Sequence, residues 1–223
     1  MGFLGEVRDG AFCEEIVLDS QSVAKISPEV PFDLAVLAEP TAVCLHALRQ
    51  ATLTPASRIL VLGGGPIGAL LFTILNLRNH DSTAIAEPSE YRRSILSKIR
   101  PEMILERSVG EFDVVFDSSG SEQAFAQLLA GNLAKQGQVI VVGLYRQSSC
   151  FNLTRVVENE WRIAGSSVFT DELLEAVRLL EENWRKFAPI VTHRFPLKEI
   201  GQALKLVLSP QKEAMKVVLH PRS

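Results

Sequence analysis

Residues 59–77 make up a run of 19 residues without a charge, about the length that crosses a bilayer as a helix. Gly63, Gly64, Gly65 and Pro66 interrupt the run in its first half. Such a cluster breaks a membrane helix, so the run reads as strand (RILVL), tight turn (GGGP) and helix (IGALLFTILN). In the pattern Gly63-x-Gly65-x-x-Gly68 the first glycine permits the turn, the second lets a backbone approach a pyrophosphate, and the third lets helix and strand pack closely. The helix start then offers free N–H groups to phosphates. Glu87 stands 19 residues beyond Gly68 and closes the strand-like STAIAE. There a carboxylate accepts hydrogen bonds from a ribose 2′-hydroxyl and repels a 2′-phosphate. Strand, turn, helix, strand and acid agree on a dinucleotide site, with NAD favoured over NADP.

The rest of the chain supplies the sheet that such a turn needs. RILVL, STAIAE, EFDVVFD and QVIVV are short, almost wholly apolar runs, the pattern of strands buried on both faces. Most are separated by helical stretches such as SEQAFAQLLAGNLAKQG. This alternation predicts a helix-covered parallel sheet over residues 54–168, with WRIAGSSV as its last strand. One connection is too short. Only residues 107–112 separate the strand-like EMILE from DVVFD, where a parallel crossover usually contains a helix. Seven Cα steps reach at most about 25 Å, and passing three strand spacings while returning along one strand consumes roughly 20 Å. The crossover helix is expected to be absent, and the third strand short, displaced or lost.

Outside the sheet, residues 13–26 have the look of short strands, and residues 37–51 of a helix with Glu39 and Pro40 in its first turn. DELLEAVRLLEENW reads as an amphipathic helix capped by Asp171. VTHRFPLKEIGQALKLVL and MKVVLHP add a second helix and a final strand.

Composition excludes several partners. With 23 basic against 26 acidic side chains, nothing electrostatic favours nucleic acid or an anionic membrane. Cys13, Cys44 and Cys150 form no C-x-x-C pair, so neither a disulfide framework nor a four-thiolate zinc loop is expected, and the cytoplasm is the default compartment. His46, His80, His193 and His220 lack metal-binding spacing. His46 is expected to be a satisfied helix histidine, and Trp161 and Trp184 are expected to be packing residues.

Eight segments in order, DGAFCEEIVL, LAEPTAVCLHAL, VLGGGPIG, AEPSEYRR, DVVFDSSG, VIVVGL, VTHRFPL and MKVVLHP, resemble the medium-chain, zinc-type alcohol dehydrogenase family, most closely its polyol and threonine dehydrogenase branch. The resemblance implies an α/β fold, a Rossmann doubly wound parallel sheet with a remnant of a GroES-like catalytic domain. It divides the chain into that remnant (1–50), an NAD-binding domain (51–168) and a C-terminal segment returning to the catalytic domain (169–223). It implies hydride transfer between a small-molecule alcohol or polyol and nicotinamide, with zinc polarising the alcohol oxygen. Gly63, Gly65, Pro66, Ile67 and Gly68 match the pyrophosphate turn, Glu87 the ribose acid and Arg92 a basic residue near the adenosine. Ser119, Gly120, Val142, Gly143 and Leu144 match strand ends lining the nicotinamide half. The strand over residues 161–168 matches the edge through which the family forms homodimers.

The family's zinc-binding Cys, Gly-His-Glu motif and four-cysteine loop have no counterpart in this sequence. Glu39 alone matches a residue of the metal site, and one carboxylate cannot hold zinc against water. Three readings follow. The chain is an NAD-dependent alcohol or polyol dehydrogenase whose catalytic half lies elsewhere, a non-catalytic dinucleotide-binding protein, or a zinc-free reductase of the same superfamily. No catalytic residue is assigned in any of them.

Overall fold

The computed structural model describes residues 4–146, 151–209, 211 and 213–222. After an irregular N-terminal stretch come α1 (Phe32–Ala35) and α2 (Ala38–Arg49), then β1 (Ile59–Leu62), α3 (Pro66–Leu77), β2 (Thr83–Ala86), α4 (Glu90–Leu96) and β3 (Ile104–Leu105). The chain continues through β4 (Phe112–Asp117), α5 (Glu122–Gly131), β5 (Leu133–Val141), α6 (Leu153–Asn159) and β6 (Arg162–Gly165). It ends with α7 (Leu173–Phe187), β7 (Val191–Pro196), α8 (Ile200–Leu208) and β8 (Lys216–His220). The strands β3-β2-β1-β4-β5-β6 form one parallel sheet in that order, doubly wound about β1.

Strand alternation divides the apolar residues between two cores. Ile59 and Val61 of β1 pack with α2, α3 and α7, and Leu60 and Leu62 pack on the other face with α5. A strand covered on both faces must be apolar throughout, which explains the unbroken ILVL. Helix α3 buries Leu70, Leu71, Phe72, Ile74 and Leu75 completely. The uncharged run is thus the centre of the fold, and among the described residues no helix is long and apolar enough to cross a membrane.

The short crossover has the expected effect. Strand β3 is a two-residue edge strand (Ile85↔Ile104 and Ala86↔Leu105), and no helix lies between it and β4.

Three expectations are corrected. Residues 13–26 form no strand; they contain a three-residue turn, Ser20–Ser22, and Val17 is 94% exposed. Apolar β-formers need a neighbouring ladder, and no strand of the described chain runs beside these. Asp171 does not cap α7. The helix begins after Glu172 without a side-chain cap, and Asp171 pairs with Arg49 at 2.8 Å instead. VTHRFP contributes a strand of its own, β7, which pairs in parallel with β8 across α8. In addition, β6 spans only four residues of the expected WRIAGSSV.

Candidate dinucleotide site

The carboxyl ends of β1, β2 and β4 open into a cleft of about 370 Å³. This is the topological switch point of the sheet, where neighbouring strands send their connections to opposite faces. Gly63, Gly65, Glu87, Arg92 and Ser119 line it together.

The glycines divide into two kinds. Gly63 has φ +96°, and a Cβ there would lie 2.7 Å from the Ser119 Cα. A Cβ at Gly68 would stand 1.9 Å from the Gly63 carbonyl oxygen. These two are required by the fold itself. A Cβ at Gly65 would meet nothing nearer than the Arg92 guanidinium at 3.7 Å, so any tight constraint there must come from a ligand. Pro66 opens α3, and Gly65 supplies no side-chain cap, which leaves first-turn N–H groups for an anion. Ile67 faces α2, where its carbonyl accepts the Cys44 thiol at 3.5 Å.

Glu87 is buried beneath the turn. Its Oε2 accepts the Gly64 N–H at 2.8 Å, its Oε1 accepts the Ser89 N–H at 2.8 Å, and the Arg92 guanidinium lies 3.9 Å away. The carboxylate therefore fixes the turn from below. Each oxygen keeps a lone pair for a further donor at the cleft wall.

Beyond β4 and β5, Gly120 (φ +58°) and Gly143 touch backbone to backbone, since a Cβ on Gly143 would lie 2.6 Å from the Gly120 nitrogen. Val142 and Gly143 donate to the Asp117 carbonyl at 2.8 and 2.9 Å, and the Leu144 side chain is exposed. The candidates for the nicotinamide half thus lie near one another, but of them only Ser119 is among the residues that line the cleft. Sequence reasoning missed Glu106, Arg107 and Ser108, which the shortened crossover carries into the cleft, and Asp117 and Tyr145 beside Ser119. The six-residue connection was the available signal for the first three.

Glu39 lies apart from this cleft's lining. Partial burial raises its carboxyl above the usual range, and Lys216 of β8 opposes that rise. Its electrostatic neighbour is therefore a cation rather than a second ligand. Burial drives the Cys44 thiol far up, and no cluster of three or more His, Cys, Asp or Glu is placed to hold a metal among the described residues. The donors present do not fit a catalytic zinc.

Three of the remaining candidates have structural partners. His46 Nδ1 lies 2.9 Å from Glu172, and Trp161 is buried with its Nε1–H donated to the Ala134 carbonyl at 2.9 Å. Trp184 lies under Arg185. Cys150 falls outside the described residues.

A doubly wound parallel sheet with a glycine turn, a buried acid and a switch-point cleft defines an α/β protein of the Rossmann type. Residues 66–182 match the family described as zinc-binding dehydrogenase, and the chain belongs to that family. It is 24% identical to (R,R)-butanediol dehydrogenase of Bacillus subtilis and 28% identical to sorbitol dehydrogenase of Halalkalibacterium halodurans. Those alignments cover 99% and 98% of this chain and 67% of each relative. An Escherichia coli CFT073 alcohol dehydrogenase solved with NADH has the same fold, with a TM-score of 0.87 at 19% identity over 98% of this chain and 68% of that one. The chain spans between 57% and 67% of the length of the curated relatives it matches.

Proposed function

We propose that this chain binds NAD(H), in preference to NADP(H), as the cofactor-holding part of an alcohol or polyol dehydrogenase. The observation that carries the reading is Glu87, buried at the cleft wall and hydrogen-bonded to the turn that would receive the pyrophosphate. In this role the start of α3 holds the pyrophosphate, Glu87 accepts from the adenosine ribose, and Arg92 lies over the adenosine side. Ser119, Gly120, Val142, Gly143 and Leu144 bound the nicotinamide, whose C4 exchanges hydride with the alcohol carbon.

The domain division at residues 50 and 168 belongs to the same reading, as does a cytoplasmic location. The described residues do not fit a zinc site. The chain by itself is proposed to bind cofactor without turning over alcohol, so that, taken alone, it acts as a dinucleotide-binding protein. Among the described residues strand β6 is paired on one side only, with β5, and its other edge offers N–H and C=O groups to a second copy.

Calorimetric titration of one purified preparation tests the proposal. NADH is expected to bind about tenfold or more tightly than NADPH, and Glu87→Ala to narrow that ratio. Equal or reversed affinities in the unaltered chain would remove the role of Glu87. On the same sample, one tightly held zinc per chain by mass spectrometry would overturn the metal-free reading, and a monodisperse monomer by light scattering would overturn the dimer.

A further inference from the structure

One buried carboxylate ties together the segments that follow β4 and β5. Asp117, the last residue of β4, is fully buried. Its Oδ1 accepts the Ser119 N–H at 3.0 Å and the Ser119 hydroxyl at 2.7 Å, and its Oδ2 accepts the Tyr145 hydroxyl. The Ser119 Oγ accepts the Ser121 N–H at 3.1 Å, which carries the bonding to the start of α5. On the β5 side, backbone bonds to the Asp117 carbonyl hold residues 142 and 143. Among the described residues 144–146, Tyr145 makes the side-chain bond to this carboxylate, and its ring also meets Phe125 of α5 edge-on at 6.1 Å and 78°. Burial, and then the neighbouring Asp117, push the Tyr145 phenol above its ordinary range, so it is a hydrogen-bond donor throughout neutral pH.

We propose that Tyr145 is a positioning residue: by donating to Asp117 it holds residues 144–146, which follow β5, in the conformation that receives the nicotinamide half of the dinucleotide. The proposal rests on the NAD(H) reading above. The adenosine half is built from the glycine turn, Glu87 and Arg92, and none of the bonds made by Tyr145 reaches them. Without the hydroxyl, residues 144–146 lose this bond, and ordering them on binding costs affinity for the nicotinamide half alone. The buried Asp117 Oδ2 also loses a donor.

The test compares the unaltered chain with Tyr145→Phe, which keeps the ring against Phe125. Both are titrated with NADH and with ADP, which shares the adenosine and pyrophosphate but lacks nicotinamide. NADH affinity is expected to fall about tenfold while ADP affinity stays within about twofold. Equal losses for both ligands would make Tyr145 a general structural residue, and unchanged NADH affinity would show that the bond does not matter. Either result overturns the proposal. Asp117→Asn and the double variant complete a cycle, in which purely additive losses in NADH affinity would also overturn the pairing. Failure of the unaltered chain to bind NADH at all would instead overturn the functional reading beneath it.

Discussion

RILVL and EEIVL are nearly the same kind of sequence, yet the first is the centre of the molecule and the second lies on its surface. Ile59, Leu60, Val61 and Leu62 are buried and paired residue by residue with β2 on one side and β4 on the other. Ile16 and Val17 are 41% and 94% exposed, in a stretch without a strand. What differs is neighbours. Each strand of the sheet inherits a ladder from the strand beside it, whereas the stretch before α1 meets the rest through scattered contacts, apolar at Ile26 and Val30 and polar elsewhere. These include the Ser27 N–H donated to Glu181 at 2.7 Å and Glu15 with Arg222 at 2.7 Å. Surface contacts of that sort are worth little, so a β-forming composition does not become a strand without a partner.

The largest effect is expected where the sheet region has no slack. Gly68→Val would drive a side chain into the Gly63 carbonyl. It is expected to cost about 3 kcal/mol or more and to abolish NADH binding. A denaturant melt with the midpoint unchanged would show that the turn can move aside, and would weaken the contrast between a rigid centre and a loose periphery.

An intermediate effect is expected at the boundary where order begins. Helix α2 docks on α7 through Glu172, whose buried carboxylate accepts from His46, from Arg49 at 3.0 Å and from the Thr170 and Asp171 N–H groups. Burial works to raise this carboxyl, but the bond from His46 and the backbone bonds outweigh it and hold it down at about 2. Since the folded value is depressed, the stabilisation is present above the ordinary carboxylate value of 4.5 and is lost as pH falls from there through about 2. Glu172→Gln is expected to cost about 2 kcal/mol at neutral pH, with the difference from the unaltered chain shrinking between pH 4.5 and 2. Thermal melts across that range check it. A constant difference would mean that the carboxylate charge is not what holds α2.

The smallest effect is expected at Val17. Val17→Asp should change stability by no more than about 0.5 kcal/mol, because the side chain packs on nothing. A larger loss in a chemical denaturation curve would reveal a partner for this segment, and with it a reason to treat it as structured.

Much of this molecule is written locally. Gly63 and Gly68 can be read from the sequence because one needs a positive φ and the other permits close packing, and both demands act within a few residues of the turn. The strands were legible because burial on both faces leaves no room for polar residues, and the missing crossover helix was legible because chain length is a hard geometric limit. Glu87 could be placed at the turn by counting. Its bond to Gly64 could not, because it depends on how β2 stands against β1. The tertiary structure alone decided the rest. Glu172 meets His46 across 126 residues, and Asp117 meets Tyr145 across 28. No periodicity encodes such meetings, since side chains distant in the chain become neighbours only when whole strands and helices have packed. The same reason separates EEIVL from RILVL: propensity is a property of the residues, but a ladder is a property of the fold.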